Sequence, residues 1–222
     1  MMSYLLFIIA GAAQAVASFF PATWVAVGLG AIAVLALVCG FKVAKSLLIA
    51  SFLFGLVFHV AAFYWIPNTI EFFGGFPPLI SYALFALFVT VSSLQFLLFT
   101  FFYRRFILCG FDRYLLALPL AWFATEVLVP RLFPWNLAHV YLGWTSFASL
   151  AEFLGVPFLS LLLLWWGEQV VAMCRAVYSK EFVLKKGRAL AVAMSLLLLL
   201  CGMSRNAQVE ELALVAPELK VG

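Results

Sequence analysis

The chain has 222 residues, of which 67% are hydrophobic and only 10% are charged, with a formal net charge of +4. This composition and a mean hydropathy of +1.17 exclude an ordinary soluble globular domain. Lipid offers no water to backbone polar groups, so long unbroken apolar runs predict membrane-spanning helices, whereas a barrel would show short alternating segments.

Taken in chain order, the apolar runs predict about seven spans, each near the roughly 17–25 residues that a bilayer requires. They lie at about 4–20, 22–41, 46–66, 79–103, 106–129, 147–173 and 188–204. The first run includes Ala15, Val16 and Ala17, a triplet similar to a signal-peptidase site, but no basic segment precedes it, so we expect a retained helix. We therefore predict an all-α, polytopic membrane protein with one domain over 1–204 and a tail over 205–222.

The positive charges predict the orientation of this domain. Most of the 13 lysines and arginines lie after the second, fourth and sixth spans, whereas Arg131, Arg205 and Lys220 lie in the remaining connections. The positive-inside rule then places the N-terminus in the cytoplasm and the tail outside. The net charge reflects this topology, and we expect no nucleic-acid partner.

Two outward-facing loops contain an unusual set of polar and aromatic residues. They read YWIPNTIEFFGGFPP, residues 64–78, and VPRLFPWNLAHVYLGW, residues 129–144. In each loop an early proline is expected to end the preceding helix, since it cannot donate the next hydrogen bond. Gly74 and Gly75 permit close backbone approach or a positive φ, and Pro77 with the proline after it stiffens the return into the fourth span.

The aromatic residues of these loops have two open interpretations. Tyr64, Trp65, Trp135, Tyr141 and Trp144 can anchor helices at the membrane interface as an aromatic belt. Alternatively, a loop with this combination of glycine, proline and aromatic residues has a defined shape and contacts a ligand.

Polar residues in the outer half of the membrane also point to this face, because an ionisable group at depth is costly and tends to face a cavity or a partner. Glu126, Glu152 and His59 are the residues concerned. The alternative is interfacial solvation for the two glutamates and a hydrogen-bonded interior imidazole for His59. Glu168 lies near the predicted inner end, where basic residues can pair with it.

A catalytic set is not evident. His59 and His139 are candidates for an acid–base couple with Glu126, but no serine or cysteine completes a nucleophilic site. The four cysteines are scattered without an activating neighbour, and no spacing indicates a metal ligand set or a cofactor loop. The residues alone predict a chain that binds something at its outer face.

Several segments resemble apolipoprotein N-acyltransferases. FGLVFHVAAFYWIPNTIEFFGGFPPLI is similar to the third helix and loop of that family, and LALPLAWFATEVLVPRLFPWNLAHVYLGW resembles its next block, with Trp122, Glu126 and the Phe133-Pro134-Trp135 triplet. ASFFPATW and SLAEFLGVPFLSLLLLWW fit further segments of the family. The order and spacing of these matches cover essentially the whole chain.

The resemblance implies an acyltransferase of the bacterial inner membrane, with the tail in the periplasm. Its substrates would be a phospholipid acyl donor and the α-amino group of a lipoprotein's diacylglyceryl-cysteine. The family's Cys-Glu-Lys triad belongs to a nitrilase-like domain inserted after the seventh helix, and this sequence ends about where that domain would begin. The resemblance therefore implies a membrane domain that needs a separate catalytic chain, with no catalytic residue and no cofactor of its own. An inactive truncated fragment and a non-enzymatic lipid- or lipoprotein-binding membrane protein are the alternatives.

The same resemblance implies which residues contact the substrates. Trp65, the 71–77 segment and Trp135 would line the lipid entry, and Glu126 would pair with a neighbouring helix or orient a loop. The full set of candidate substrate- or lipid-binding residues is Tyr64, Trp65, Glu71, Gly74, Gly75, Pro77, Glu126, Pro134, Trp135 and His139.

Overall fold

The computed structural model describes residues 2–20, 23–43, 45–178 and 186–215, and these residues form helices and no strands. The α-helices are α1 Met2–Ala17, α2 Trp24–Val43, α3 Leu47–Ala62, α4 Ile66–Gly74, α5 Pro78–Leu108, α6 Ala117–Leu128, α7 Thr145–Ala148, α8 Ala151–Leu154, α9 Val156–Tyr178 and α10 Lys186–Val215. Two 3₁₀ helices, Phe111–Tyr114 and Leu137–Tyr141, complete the described elements. The prediction of an all-α fold is confirmed.

The helices support a multi-pass membrane protein, but a count of seven spans is not confirmed. Among the described residues, α2, α5, α9 and the Val192–Val209 part of α10 are each long and apolar enough to cross a membrane. α3 and α4 pass the same test together, as a pair bent by 52°. The apolar helices α1 and α6 are shorter than a full span.

The predicted span 106–129 is wrong in its first half. Gly110 and Leu115 both adopt left-handed backbone conformations, with φ of 82° and 59°, on either side of the first 3₁₀ helix. These two residues interrupt the helical hydrogen-bond ladder, because left-handed residues occur singly and do not continue a helix. Only Ala117–Leu128 forms α6, and its 12 residues end just before the 129–144 loop.

The 64–78 segment is mostly helical, which corrects its prediction as a loop. Pro67 does not end a helix: α3 already ends at Ala62, and Pro67 lies in the first turn of α4, where a missing N–H is tolerated. The predicted positive φ is confirmed at Gly75, whose φ is 66° and whose N–H bonds to the Glu71 carbonyl at 3.1 Å. α3, α4 and α5 therefore form a long bent hairpin.

The C-terminal spans also differ from the prediction. The predicted span 147–173 begins as the two short helices α7 and α8, and Gly155, with a φ of 76°, separates them from α9. α10 continues past residue 204 as far as Val215. Residues 179–185 and 216–222 lie outside the described residues, so the basic inner loop and the end of the tail stay predictions.

The bundle is assembled by contacts of α1 with α2 and α3, α3 with α5, α5 with α6, and α9 with both α2 and α6. At one end, Phe41 of α2 is the centre of an aromatic cluster. Its ring centroid lies 5.1 Å from Phe7, 4.8 Å from Phe99 and 5.0 Å from Tyr103. These contacts join α1, α2 and α5 at this end of the bundle.

Ion pairs connect segments that the sequence places in different loops. The Lys42 ammonium lies 3.2 Å from the Asp112 carboxylate and 3.5 Å from that of Glu168. The predicted pairing of Glu168 is confirmed, and Lys42 at the end of α2 connects the first 3₁₀ helix to α9. Glu152, elsewhere, pairs with Arg205 at 2.8 Å on the surface.

Candidate functional site

A half-open groove of about 790 Å³ lies between α3, α5 and residues 129–135. Its lining is almost entirely apolar. α5 contributes a stripe of exposed side chains at helical spacing, namely Leu84, Leu87, Val91, Leu94 and Leu98. From Leu84 to Leu98 this stripe extends about 21 Å at the rise of an α-helix. The hydrocarbon layer of one leaflet is about 15 Å, half of the roughly 30 Å core, so the groove is long enough for an acyl chain.

Trp135 forms one wall of this groove. Its ring centroid lies 4.2 Å from Phe58 of α3, 6.2 Å from Trp122 of α6 and 6.3 Å from Phe96 of α5. The indole N–H of Trp135 is buried and has no hydrogen-bond partner among the described residues. The contacts of Trp135 are therefore those of packing, and they join three helices at the groove.

Trp65 reaches the same groove through a second aromatic cluster. The ring centroid of Phe133 lies 5.8 Å from Trp65 and 5.3 Å from Phe63. Phe63 and Phe133 both line the groove. Trp65 therefore does not line the groove itself but packs against Phe63 and Phe133, which do.

A second, smaller cavity of about 250 Å³ lies toward α1 and the second 3₁₀ helix. Its lining includes the polar residues Ser18, Asn136 and His139. Phe63 and Trp135 line both this cavity and the groove. These two aromatic side chains are therefore the wall between an apolar and a more polar space.

Glu126 is buried, with 7% of its surface exposed. Its Oε1 accepts hydrogen bonds from the Trp122 indole at 2.7 Å and from the Leu137 backbone N–H at 2.9 Å. The carboxyl group therefore connects α6 to the 129–144 loop. This arrangement orients the loop, one of the two roles considered for Glu126 from the sequence.

Neither histidine forms the predicted acid–base couple with Glu126. The Nδ1 of His59 donates to the Gly55 carbonyl at 2.7 Å, so the imidazole is an interior, hydrogen-bonded group that also lines the groove. The Nδ1 of His139 accepts the Asn136 backbone N–H at 2.9 Å. Burial, and secondarily the charge of Arg131, lower the pKa of His139, which favours the neutral imidazole that this contact requires.

Three polar side chains from three helices hold the backbone of residues 137 and 138. Besides Glu126, Gln14 of α1 donates to the Leu137 carbonyl at 3.1 Å, and Ser160 of α9 accepts the Ala138 N–H at 3.1 Å. Buried backbone groups outside regular helices need such partners. Gly30 of α2 makes room for the same segment, because a Cβ there would lie 2.7 Å from the Val140 side chain. Gln14, Gly30 and Ser160 were not recognised from the sequence.

Arg131 was treated in the sequence only as a loop charge, yet it lies in the groove. Its guanidinium donates to the Glu126 carbonyl at 2.8 Å and to the Trp135 carbonyl, and it lies 5.9 Å from the Trp135 ring centroid. A cation at the carbonyl end of a helix is favourable. Arg131 thus caps α6 and holds the loop against it.

Other predicted residues lie away from both cavities. Tyr64 is 63% exposed and packs against Phe19, with 5.8 Å between the ring centroids. The remaining candidates lie at the end of α4, in its connection to α5, or at the exposed position 134. None of them lines the groove or the smaller cavity. They are Glu71, Gly74, Gly75, Pro77 and Pro134.

Within the described part of the chain, no group of three or more His, Cys, Asp or Glu side chains is placed to hold a metal ion. The four cysteines are free thiols distributed over the bundle. The described site is therefore made of aromatic, aliphatic and hydrogen-bonding residues.

Comparison with known proteins identifies similar sequences. The model of a family described as the apolipoprotein N-acyltransferase N-terminal domain matches residues 11–167, well over half of the chain. Apolipoprotein N-acyltransferase 1 of Leptospira interrogans serogroup Icterohaemorrhagiae serovar Lai (strain 56601) is 32% identical over 114 residues, which are 49% of this chain and 19% of that protein. The match thus spans about a fifth of this relative's length. Every residue that lines the groove falls within the part matched by the family model.

Proposed function

The chain belongs to the apolipoprotein N-acyltransferase N-terminal domain family, and we propose that it is the membrane part of an enzyme that transfers an acyl chain from a phospholipid to the N-terminus of a lipoprotein. The acyl chain would lie in the groove between α3, α5 and residues 129–135. The chemical step would take place on a separate nitrilase-like catalytic chain. The protein would lie in the bacterial inner membrane with its N-terminus in the cytoplasm.

The apolar groove is the observation that carries this proposal. A leaflet-length aliphatic stripe on α5, open along one side and closed by aromatic rings, can accept a lipid chain laterally from the bilayer. Holding the chain in one position would favour transfer, because fixed geometry replaces a bimolecular encounter. Trp135 would form part of the entry wall and Trp65 would support it through Phe133, with Glu126 orienting the loop that carries Trp135.

The other candidate residues have a different place in this proposal. Glu71 and Gly74 lie in the last part of α4, and Gly75 and Pro77 lie in its connection to α5. The neighbouring Phe72 and Phe73 are 82% and 80% exposed. We propose that this connection contacts headgroups or the catalytic chain. His139 would contact the polar part of a substrate from the smaller cavity, and Tyr64 and Pro134 would contribute to the rim.

Complementation tests the proposal. Cells depleted of their own apolipoprotein N-acyltransferase would express this chain alone, and then together with any nitrilase-like polypeptide encoded beside its gene. Triacylation of a lipoprotein would be measured by mass spectrometry. We expect triacylation only with the partner.

The other outcomes would overturn specific parts of the proposal. Triacylation by this chain alone would show that no separate catalytic chain is needed. Absence of triacylation in both cases, with the chain present in the membrane, would contradict the acyltransferase role.

The turn at Gly75 gives a first mutational prediction. Gly75→Val should lower triacylation in this assay while the chain still inserts, because a β-branched residue at a φ of 66° costs at least about 1–2 kcal/mol and shifts the start of α5. Gly28→Val is the matched control, since Gly28 is in a helix and a Cβ there would meet nothing within 4 Å. Equal triacylation by the Gly75 variant and the wild type would remove the turn from the site.

A further inference from the structure

Besides the His59 imidazole, the groove contains a polar patch amid its aliphatic lining. The patch consists of Arg131 with Ser92 and Gln95 of α5, which line the groove together. Gln95 and Arg131 also line a small adjoining space with Glu126 and Trp135. A ligand made only of hydrocarbon would form no hydrogen bond with these three side chains.

Arg131 has unused hydrogen-bond donors and no ion-pair partner among the described residues. Two of its N–H groups bond to the Glu126 and Trp135 carbonyls, and a guanidinium has further donors. Among the residues that the structure describes, no carboxylate forms an ion pair with Arg131. The Oε1 of Glu126 accepts from Trp122 and Leu137, and its Oε2 has no hydrogen-bond partner among the described residues. A half-buried cation in a lipid-facing groove is costly unless it has an anionic partner.

Gln95 supplies an independent observation. Only 6% of its surface is exposed, yet its amide has no hydrogen-bond partner among the described residues. The fully enclosed polar atoms that lack a partner in the described part of the chain do not include this amide, so it is open to the groove that Gln95 lines. The amide and the Arg131 guanidinium belong to residues that line the same groove, so one ligand can contact both.

We propose that Arg131 and Gln95, with Ser92, bind the phosphodiester group of a phospholipid whose acyl chain lies along the aliphatic stripe of α5. A phosphate group offers several acceptor oxygens and a negative charge, which matches a guanidinium, an amide and a hydroxyl. The open side of the groove leaves room for the headgroup. This inference rests on the proposed function for the identity of the lipid as acyl donor, but the binding site stands on the groove itself.

Lipid binding to the purified 222-residue chain tests the site. Native mass spectrometry in detergent would compare phosphatidylglycerol with the diacylglycerol that carries the same acyl chains. We expect the wild type to bind the phospholipid at least about tenfold more tightly, since hydrogen bonds to a charged group are among the stronger ones. Excess inorganic phosphate should not displace the lipid, because it cannot fill the aliphatic stripe.

Gln95→Leu separates loss of lipid binding from misfolding, because Arg131 also holds the loop through two hydrogen bonds. Gln95→Leu removes an amide that has no protein partner, so it should leave the melting temperature unchanged and lower the preference for phospholipid several-fold. Arg131→Gln should abolish the preference, and Arg131→Lys should restore part of it. Arg205→Gln, which removes an arginine paired with Glu152 on the surface, is the matched control and should bind as the wild type does.

Two results would overturn the inference. One is equal binding of phospholipid and diacylglycerol by the wild type, and the other is an unchanged preference in both the Gln95→Leu and Arg131→Gln variants. Displacement by inorganic phosphate would equally contradict a lipid ligand. Complementation separates this site from the proposed function: a retained phospholipid preference without triacylation would refute the acyltransferase role alone.

Discussion

Glu126→Ala should lower the free energy of unfolding by at least about 2 kcal/mol. The substitution leaves the Trp122 indole N–H and the Leu137 backbone N–H without an acceptor in a buried site, and each such orphaned group costs about 1–3 kcal/mol. Equilibrium unfolding in mixed detergent micelles, followed by circular dichroism, measures the change. Triacylation should fall with it, because the loop that carries Trp135 loses its anchor.

Glu126→Gln is the control for this prediction. Its side-chain oxygen can still accept both hydrogen bonds, so we expect it to stay within about 1 kcal/mol of the wild type. If glutamine destabilised the protein as much as alanine does, the negative charge and not the acceptor geometry would be the important property. An unchanged alanine variant would mean that the loop does not depend on Glu126.

Trp135→Ala should reduce triacylation by at least about tenfold. Trp135 separates the groove from the smaller cavity, and its removal merges the two, so an acyl chain would lose its fixed position; small misplacements in a site cost large factors in rate. Trp135→Phe should retain more activity than Trp135→Ala, since it keeps one aromatic ring in the wall and the N–H that it loses has no partner among the described residues. Mass spectrometry of the lipoprotein after complementation gives both values.

Trp144→Ala serves as the matched control for this prediction. Trp144 is 40% exposed, stacks on Phe147 with 5.6 Å between ring centroids, and lines neither cavity. We expect nearly normal triacylation from it. A Trp144 variant as impaired as Trp135→Ala would favour a general aromatic-belt role for both tryptophans over a site role for Trp135.

Long apolar runs made the helical membrane fold predictable, and α2, α5 and α9 lie where such runs occur. The boundaries were less predictable where backbone geometry overrides composition. Gly110 and Leu115 interrupt a continuous apolar stretch through their positive φ values, and hydropathy carries no information about φ. The position of Pro67 was similarly ambiguous, because proline is common both after the end of a helix and in the first turn of the next one.

The site was predictable to the extent that single residues were physically unusual. Glu126 and Trp135 were recognised because a carboxyl group and an indole stood out in an apolar chain. Arg131 was not, since only the turn after α6 directs its guanidinium back to two carbonyl groups. The partners Gln14 and Leu137 are 123 residues apart in the chain, and no local pattern reveals a contact of that range.

The way Leu137 and Ala138 are held also sets the order in which the protein can mature. The chain is synthesised from its N-terminus, so Gln14 and Glu126 are available when this segment enters the membrane, but Ser160 follows it by 22 residues. The Ala138 N–H therefore stays without its partner until α9 has been inserted and packed. The loop that carries Trp135 therefore acquires its full set of hydrogen bonds only after a helix that is synthesised later than the loop itself has packed.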